Sequence, residues 1–326
     1  MSDSDRSPTA HFPPPAAVGP GNARSRMTGG VLFGIAAAVA FGTNPLFAKP
    51  LFECNFDVDT VLTVRFLPAT ILMGFLTCLR GARLKATRGE LAVSAVAGLL
   101  FCVTSQTLFL SYRDIDVGVA ATLLFVYPVI VALFSGIVFR EKIPPAIFLA
   151  LILAVGGVVL LSRSSGQSKI GVTGVLCALA AALFYSGYLI WVARSRAREM
   201  VPEKLTFYAL LTCFVFYFLR VRCGFALHGD FTAKAWLNIA GLSLISGAMS
   251  LGCAAQALQR SGAVVTSVLG ALEPLTAVFF GWAVFHETIT PKILGGIAMI
   301  VIAVVAAACA PALKKFPRRA PSAPDE

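Results

Sequence analysis

Charge is scarce in this 326-residue chain: Asp, Glu, Lys and Arg together make up 13% of it, against 57% for apolar types. Soluble domains carry about one quarter charged residues, so the composition excludes an ordinary water-surrounded globule and places the chain in a bilayer. Histidine is scarcer still, with only three residues. His11 falls in the N-terminal tail, and His228 and His286 lie in loops or at span ends with no partner at metal-ligand spacing, which argues against a metal centre. No GxxxxGK[ST] loop occurs, so nothing marks a nucleotide-driven pump. A nucleophile with its base, or clustered His and Asp beside the spans, is also missing, which argues against a membrane hydrolase or transferase. No lysine lies in the interior of an apolar span, as a retinal-type receptor would require, and no alternating strand pattern suggests a barrel.

What remains is apolar sequence in long runs. Crossing about 30 Å of hydrocarbon takes about 20 residues of helix, and ten such windows can be marked: 29–48, 58–79, 90–112, 117–139, 144–162, 170–192, 204–221, 235–258, 262–285 and 291–311. Helices are expected because each satisfies its own backbone groups in lipid. With the N-terminus taken as cytoplasmic, inner segments hold 18 Lys and Arg and outer ones hold eight, Arg65 being inside a span. The positive-inside bias therefore places both termini in the cytoplasm of a multi-pass inner (plasma) membrane protein. The formal charge of +11 is spread over the loops of one face, without the basic, aromatic-interleaved stripe of a nucleic-acid binder. Residues 1–28 read as a disordered tail without the apolar core of a cleavable signal. Residues 312–326 read as a basic juxtamembrane tail. Six of the eight cysteines lie in spans, where a thiol behaves as a small apolar group; Cys54 and Cys223, near the outer face, are either bridged or free.

The chain repeats itself. LLFVYPVIVALFSGIVFREKIPP has a near counterpart in VLGALEPLTAVFFGWAVFHETITP, and Pro128 and Pro274 are 146 residues apart, as are Glu141 and Glu287. GVLFGIAAA from Gly30 likewise matches GVLCALAAA from Gly174. Two halves of five spans, an odd number, must enter the membrane in opposite senses. The expected fold is therefore all-α, with ten transmembrane helices as two inverted repeats, 29–162 and 170–311. In secondary transporters of this kind the substrate site lies between the repeats near the midplane.

These residues resemble the EamA-type branch of the drug/metabolite transporter superfamily. The resemblance covers roughly Gly29 to Pro311, best over Ala121 to Glu141 and Ser267 to Glu287. It implies a ten-helix permease with a central cavity lined by the first four spans of each half, often exporting amino acids or other metabolites. One departure is Arg140, where the family commonly has glycine.

Candidate residues follow from polarity out of place. Pro128 and Pro274 are expected to kink their spans, although prolines are also simply tolerated in membrane helices. Glu141 and Glu287, at helix C-termini where the dipole disfavours an anion, are expected to tie hairpins, Glu287 to the helix start at Thr290 and Pro291; ion coupling is the other reading. Arg65 and Glu273 sit deep. Either charge alone in hydrocarbon costs several kcal/mol, so they line one cavity, with Arg65 for an anionic substrate group and Glu273 for a cation or proton, or they form a mutual ion pair. Gln106, Tyr127, Asn44 and Tyr185 are further substrate-binding candidates, with Tyr188 and Gln256 beside them; each can equally bond a neighbouring helix. Gly30 and Gly34 have the spacing of a close helix contact. The expected function is a secondary transporter, with a transport-inactive receptor or scaffold and a lipid flippase as alternatives on the same fold. The expected partners are a small-molecule metabolite, a coupling proton and the bilayer, with no bound cofactor and the chain acting as monomer or homodimer.

Overall fold

The computed structural model describes residues 20–81, 84–115, 120, 123–140, 144–162, 171–285 and 291–313. Glu141 and Glu287 lie outside the described residues. Among the described residues twelve α-helices follow one another: α1 Pro20–Gly42, α2 Asn44–Glu53, α3 Val58–Leu79, α4 Arg88–Ser111, α5 Tyr127–Ile137, α6 Pro145–Ser162, α7 Val172–Arg194, α8 Pro202–Arg220, α9 Ala233–Gly241, α10 Ser250–Leu269, α11 Leu272–Phe285 and α12 Pro291–Leu313. A π-helical stretch, Leu242–Met249, joins α9 to α10.

Helix starts follow local chemistry. Asp57 caps α3 through the Thr60 amide, and Thr87 with Glu90 forms a reciprocal capping box on α4, satisfying amides that have no partner inside the helix. Proline opens α8, where its missing N–H is not needed. Deeper in the spans, hydroxyls turn back on their own helices: Thr70 donates to the Phe66 carbonyl and Thr77 to Met73, each at 2.7 Å. Such side chains are satisfied within the helix and are not sites.

The core is mostly apolar, but the spans also turn large apolar side chains outward. On α3, Arg65, Thr63 and Thr70 are buried while Ile71, Phe75 and Leu79 are exposed, the arrangement lipid requires. Among the described residues six helical stretches are long and apolar enough to cross a membrane: Ser25–Glu53, Val58–Leu79, Arg88–Ser111, Val172–Arg194, Pro202–Arg220 and Ala233–Leu269. The expected fourth, fifth and tenth spans contain shorter apolar helices, Tyr127–Ile137, Pro145–Gly157 and Leu294–Ala303. At the boundary expected near 260 two helical stretches meet at Gly262, whose φ of 82° an L side chain rarely adopts. Arg140 adopts φ 50°, so the position where the resembling family has glycine is one that suits glycine. Cys54 and Cys223 are free thiols.

The most extensive packing pairs α1 with α10, α4 with α7, α3 with α8 and α6 with α12. Take α1–α6 as one half and α7–α12 as the other. Each of these pairs joins the halves, and exchanging the halves maps α1·α10 onto α4·α7 and the other two onto themselves. Small residues allow the approach: a methyl at Gly30 would lie 2.9 Å from Arg260 Cβ, and one at Gly98 would lie 2.6 Å from the Ala209 carbonyl oxygen.

Candidate functional site

The two repeated prolines stand where helical hydrogen bonding is interrupted. Pro128 stands in the first turn of α5, after a turn at Phe125 and Val126, and Pro274 stands in the first turn of α11, after a turn at Gly270 and Ala271. Proline has no N–H to donate, so the first turn accepts it without losing a bond. Val126 and Gly270 keep right-handed helical dihedrals, so each half carries a local interruption of helical hydrogen bonding at the same repeat position. The interruption frees backbone groups. Ala271 N–H turns to the Val268 carbonyl, three residues back, and the Ser267 carbonyl instead accepts from the Tyr127 hydroxyl at 3.3 Å.

Tyr127 and Glu273 each stand immediately before the repeated proline, and both line one cavity. Residues at equivalent positions of two halves that meet in this way lie at the axis relating them. Around them is a cavity. Gly34, Ala37, Ala38 and Phe41 of α1 form one wall, Tyr185 and Leu189 of α7 another, and Ser250, Ala254 and Thr266 of α10 the third, with Tyr127, Gly270 and Glu273 at the break. The rings are ordered against each other: Tyr127 meets Tyr185 edge-on at 4.8 Å, and Tyr185 stacks between Phe41 at 6.2 Å and Tyr188 at 6.1 Å. Space open to the centre of a water molecule is about 20 Å³. At about 10–15 Å³ per water, this conformation holds water and nothing larger.

Arg65 lies one layer away. It is 1% exposed and its guanidinium faces the rings of Phe66, Phe109 and Phe41 at 5.5, 5.8 and 5.9 Å, so the Phe41 ring touches both Arg65 and the cavity. Its Nη2 donates to Ser246, at 3.3 Å to the carbonyl and 3.5 Å to the hydroxyl, and its Nε is buried with no partner. Ser246 belongs to the π-helical stretch, a local distortion frequent at functional positions. No ion pair between Arg65 and Glu273 is found among the described residues, where the ion pairs are Arg80–Glu203, Lys204–Glu90 and Arg220–Asp59.

Asn44 opens α2 at the break in the first span, and its Oδ1 is buried without a partner. A methyl on nearby Gly42 would come 2.5 Å from the Glu273 carbonyl oxygen, so this break packs on the start of α11. Gln106 is elsewhere: its amide donates to Asp59 at 3.2 Å, near the end of the α3–α8 seam. Gln256 donates to Glu203 at 2.9 Å. Sequence reading missed Phe41, whose role depends on what it touches. It also missed Gly270, although a glycine three residues before Glu273 was a visible signal. Among the described residues no group of three His, Cys, Asp or Glu side chains is placed to hold a metal ion.

Apolar helices around a small polar, aromatic central cavity define a multi-pass membrane protein. The EamA-like transporter family model matches residues 28–163 and 172–309. The chain belongs to that family, within the drug/metabolite transporter superfamily. Known relatives agree in class. The chain is 24% identical over 283 residues to the pseudopaline exporter CntI of Pseudomonas aeruginosa, covering 85% of this chain and 95% of the relative. It is 27% identical over 278 residues to an uncharacterized transporter of Archaeoglobus fulgidus, covering 84% and 94%. One solved structure superimposes with a TM-score of 0.73 at 17% identity, over 85% of this chain and 97% of that one, a likeness of fold. The family is one of transporters rather than enzymes, which implies a small-molecule substrate.

Proposed function

We propose that the chain is a secondary carrier that exports a small metabolite, such as an amino acid, by alternating access. Its ten spans form two inverted five-helix repeats, 29–162 and 170–311, in the inner membrane, with the tails 1–28 and 312–326 in the cytoplasm. The observation that carries this reading is the chamber between the halves, walled at its centre by the repeat-equivalent Tyr127 and Glu273. Broken helices at such an interface are where inverted-repeat carriers bind substrate. Glu273 takes a cationic group or the coupling proton, Tyr127 and Tyr185 orient the ligand, and Arg65 receives an anionic group once Phe41 moves aside. Asn44 supports the break beside Glu273, while Gln106 acts at the seam. Export is favoured over import because the Pseudomonas aeruginosa relative is an exporter. The chamber is confined to water in this conformation, as suits a carrier caught between open states. A scaffold or a flippase remains the competing reading.

The test compares by mass spectrometry the media of cells producing wild type, Glu273→Gln at matched membrane levels, and empty vector. Metabolites accumulating only with wild type support export and the role of Glu273 together. Equal accumulation by wild type and Glu273→Gln above vector removes Glu273 from the mechanism, and three equal media refute export.

A further inference from the structure

The seam between α3 and α8 is fastened at both ends in the same way. At one end Asp59 accepts from Arg220, at 3.2 Å from Nε and 2.9 Å from Nη2, and from the amide of Gln106 at 3.2 Å. At the other end Glu203 accepts from Arg80 and from the amide of Gln256 at 2.9 Å. The correspondence is positional as well as chemical. Asp59 is the second residue of α3 and Glu203 the second of α8; Arg220 is the last residue of α8 and Arg80 the first after α3. Gln106 stands six residues before Tyr112, which closes α4, and Gln256 stands six before Gly262, where α10 breaks. Exchanging the two halves carries one acid–arginine–glutamine cluster onto the other.

Twenty-one residues of chain separate Asp59 from Arg80, about 30 Å at 1.5 Å per residue, so the clusters lie at opposite membrane faces. Helix dipoles favour both, with the acid in a first turn and the arginine at a last. Each cluster joins one half to the other: Asp59 and Gln106 belong to the first half and Arg220 to the second, while Arg80 belongs to the first and Glu203 and Gln256 to the second. In this structure both are closed and the chamber between the halves admits only water.

We infer that the two clusters are the two gates of the carrier, each holding the halves together at one face and releasing in turn. A carrier of inverted repeats exchanges the roles of its halves between its open states, so whatever closes one face needs an equivalent at the opposite face. These clusters meet that requirement with a carboxylate, an arginine and a glutamine at equivalent places. This inference rests on the alternating-access reading above.

Reactivity tests it without any substrate. The reporter is Ala254→Cys in the chamber wall, and the parent without the reporter supplies the blank for native cysteines. A membrane-impermeant maleimide is applied to right-side-out and inside-out vesicles. Asp59→Asn is expected to raise labelling about two- to fivefold from the Asp59 face only, the shift expected from losing a partly exposed ion pair. Glu203→Gln is expected to raise it from the opposite face only. The exchange Asp59→Arg with Arg220→Asp is expected to restore protection, which separates gating from misfolding. Labelling unchanged in both single variants, or raised from the same face in both, overturns the inference. Face-specific labelling without any exported metabolite would leave the gates standing and sink the export reading alone.

Discussion

Arg65→Met separates a substrate-binding arginine from a structural one. A cation in the interior of a span costs about 2.5–3.5 kcal/mol on insertion scales. Two contacts to Ser246 at 3.3 and 3.5 Å are at the long limit of hydrogen bonding and together return about 1 kcal/mol. Three rings at 5.5–5.9 Å return about 0.5–1 kcal/mol each. The sum is close to zero, so an apolar side chain of similar length is expected to change stability by less than about 1.5 kcal/mol, as for other buried charges replaced by packed apolar groups. A charge-assisted contact to the substrate is worth about 1.5–3 kcal/mol, so transport at low substrate is expected to fall about 10- to 100-fold. Thermal melting of the purified protein in detergent measures the first quantity, and export of the metabolite found in the medium comparison measures the second. A loss of about 3–5 kcal/mol, the signature of breaking a buried charge partnership, would refute this reasoning, as would export at the wild-type rate.

Four further outcomes are expected. Gly98→Ala places a methyl 2.6 Å from the Ala209 carbonyl oxygen and 2.7 Å from Thr212 Cβ, so melting of the variant should show about 1–3 kcal/mol lost to overpacking between α4 and α8. Gly42→Ala puts its methyl 2.5 Å from the Glu273 carbonyl oxygen and 2.6 Å from Thr276 Cβ; displacing the start of α11, it should lower export at matched membrane levels more than Gly295→Ala, whose methyl meets nothing within 4 Å. Gly262→Ala forces an L residue to φ 82° and should lower the melting temperature by the equivalent of about 1–2 kcal/mol. Arg140→Gly should raise it by the equivalent of about 1 kcal/mol, because Arg140 already adopts φ 50°.

Much of the fold was legible because hydropathy, capping and punctuation are local. The span expected at 58–79 is helix Val58–Leu79, and the window 144–162 is close to Pro145–Ser162. The spacing of Gly30 and Gly34 anticipated the contact with α10. The repeat pointed to Pro128 and Pro274 as equivalent but could not say what satisfies a carbonyl freed beside them, since that partner comes from another helix, as Tyr127 does for Ser267. Gln106 was read as a substrate candidate because an amide in a span looks unpartnered until its neighbour is known. That neighbour, Asp59, is 47 residues away, and the Arg220 sharing it is 161 residues from Asp59.

The amino-acid sequence by itself determined the solvent, the helices and the duplication, because each rests on composition or periodicity within about 20 residues of chain. Only the tertiary structure decided which polar residues meet. Glu273 joins Tyr127 in a chamber, Arg65 stays behind Phe41, and two acid–arginine–glutamine clusters close the ends of one seam. Buried polar groups must find partners, and in a bundle of antiparallel helices those partners come from chain far away in sequence, where no local pattern records them.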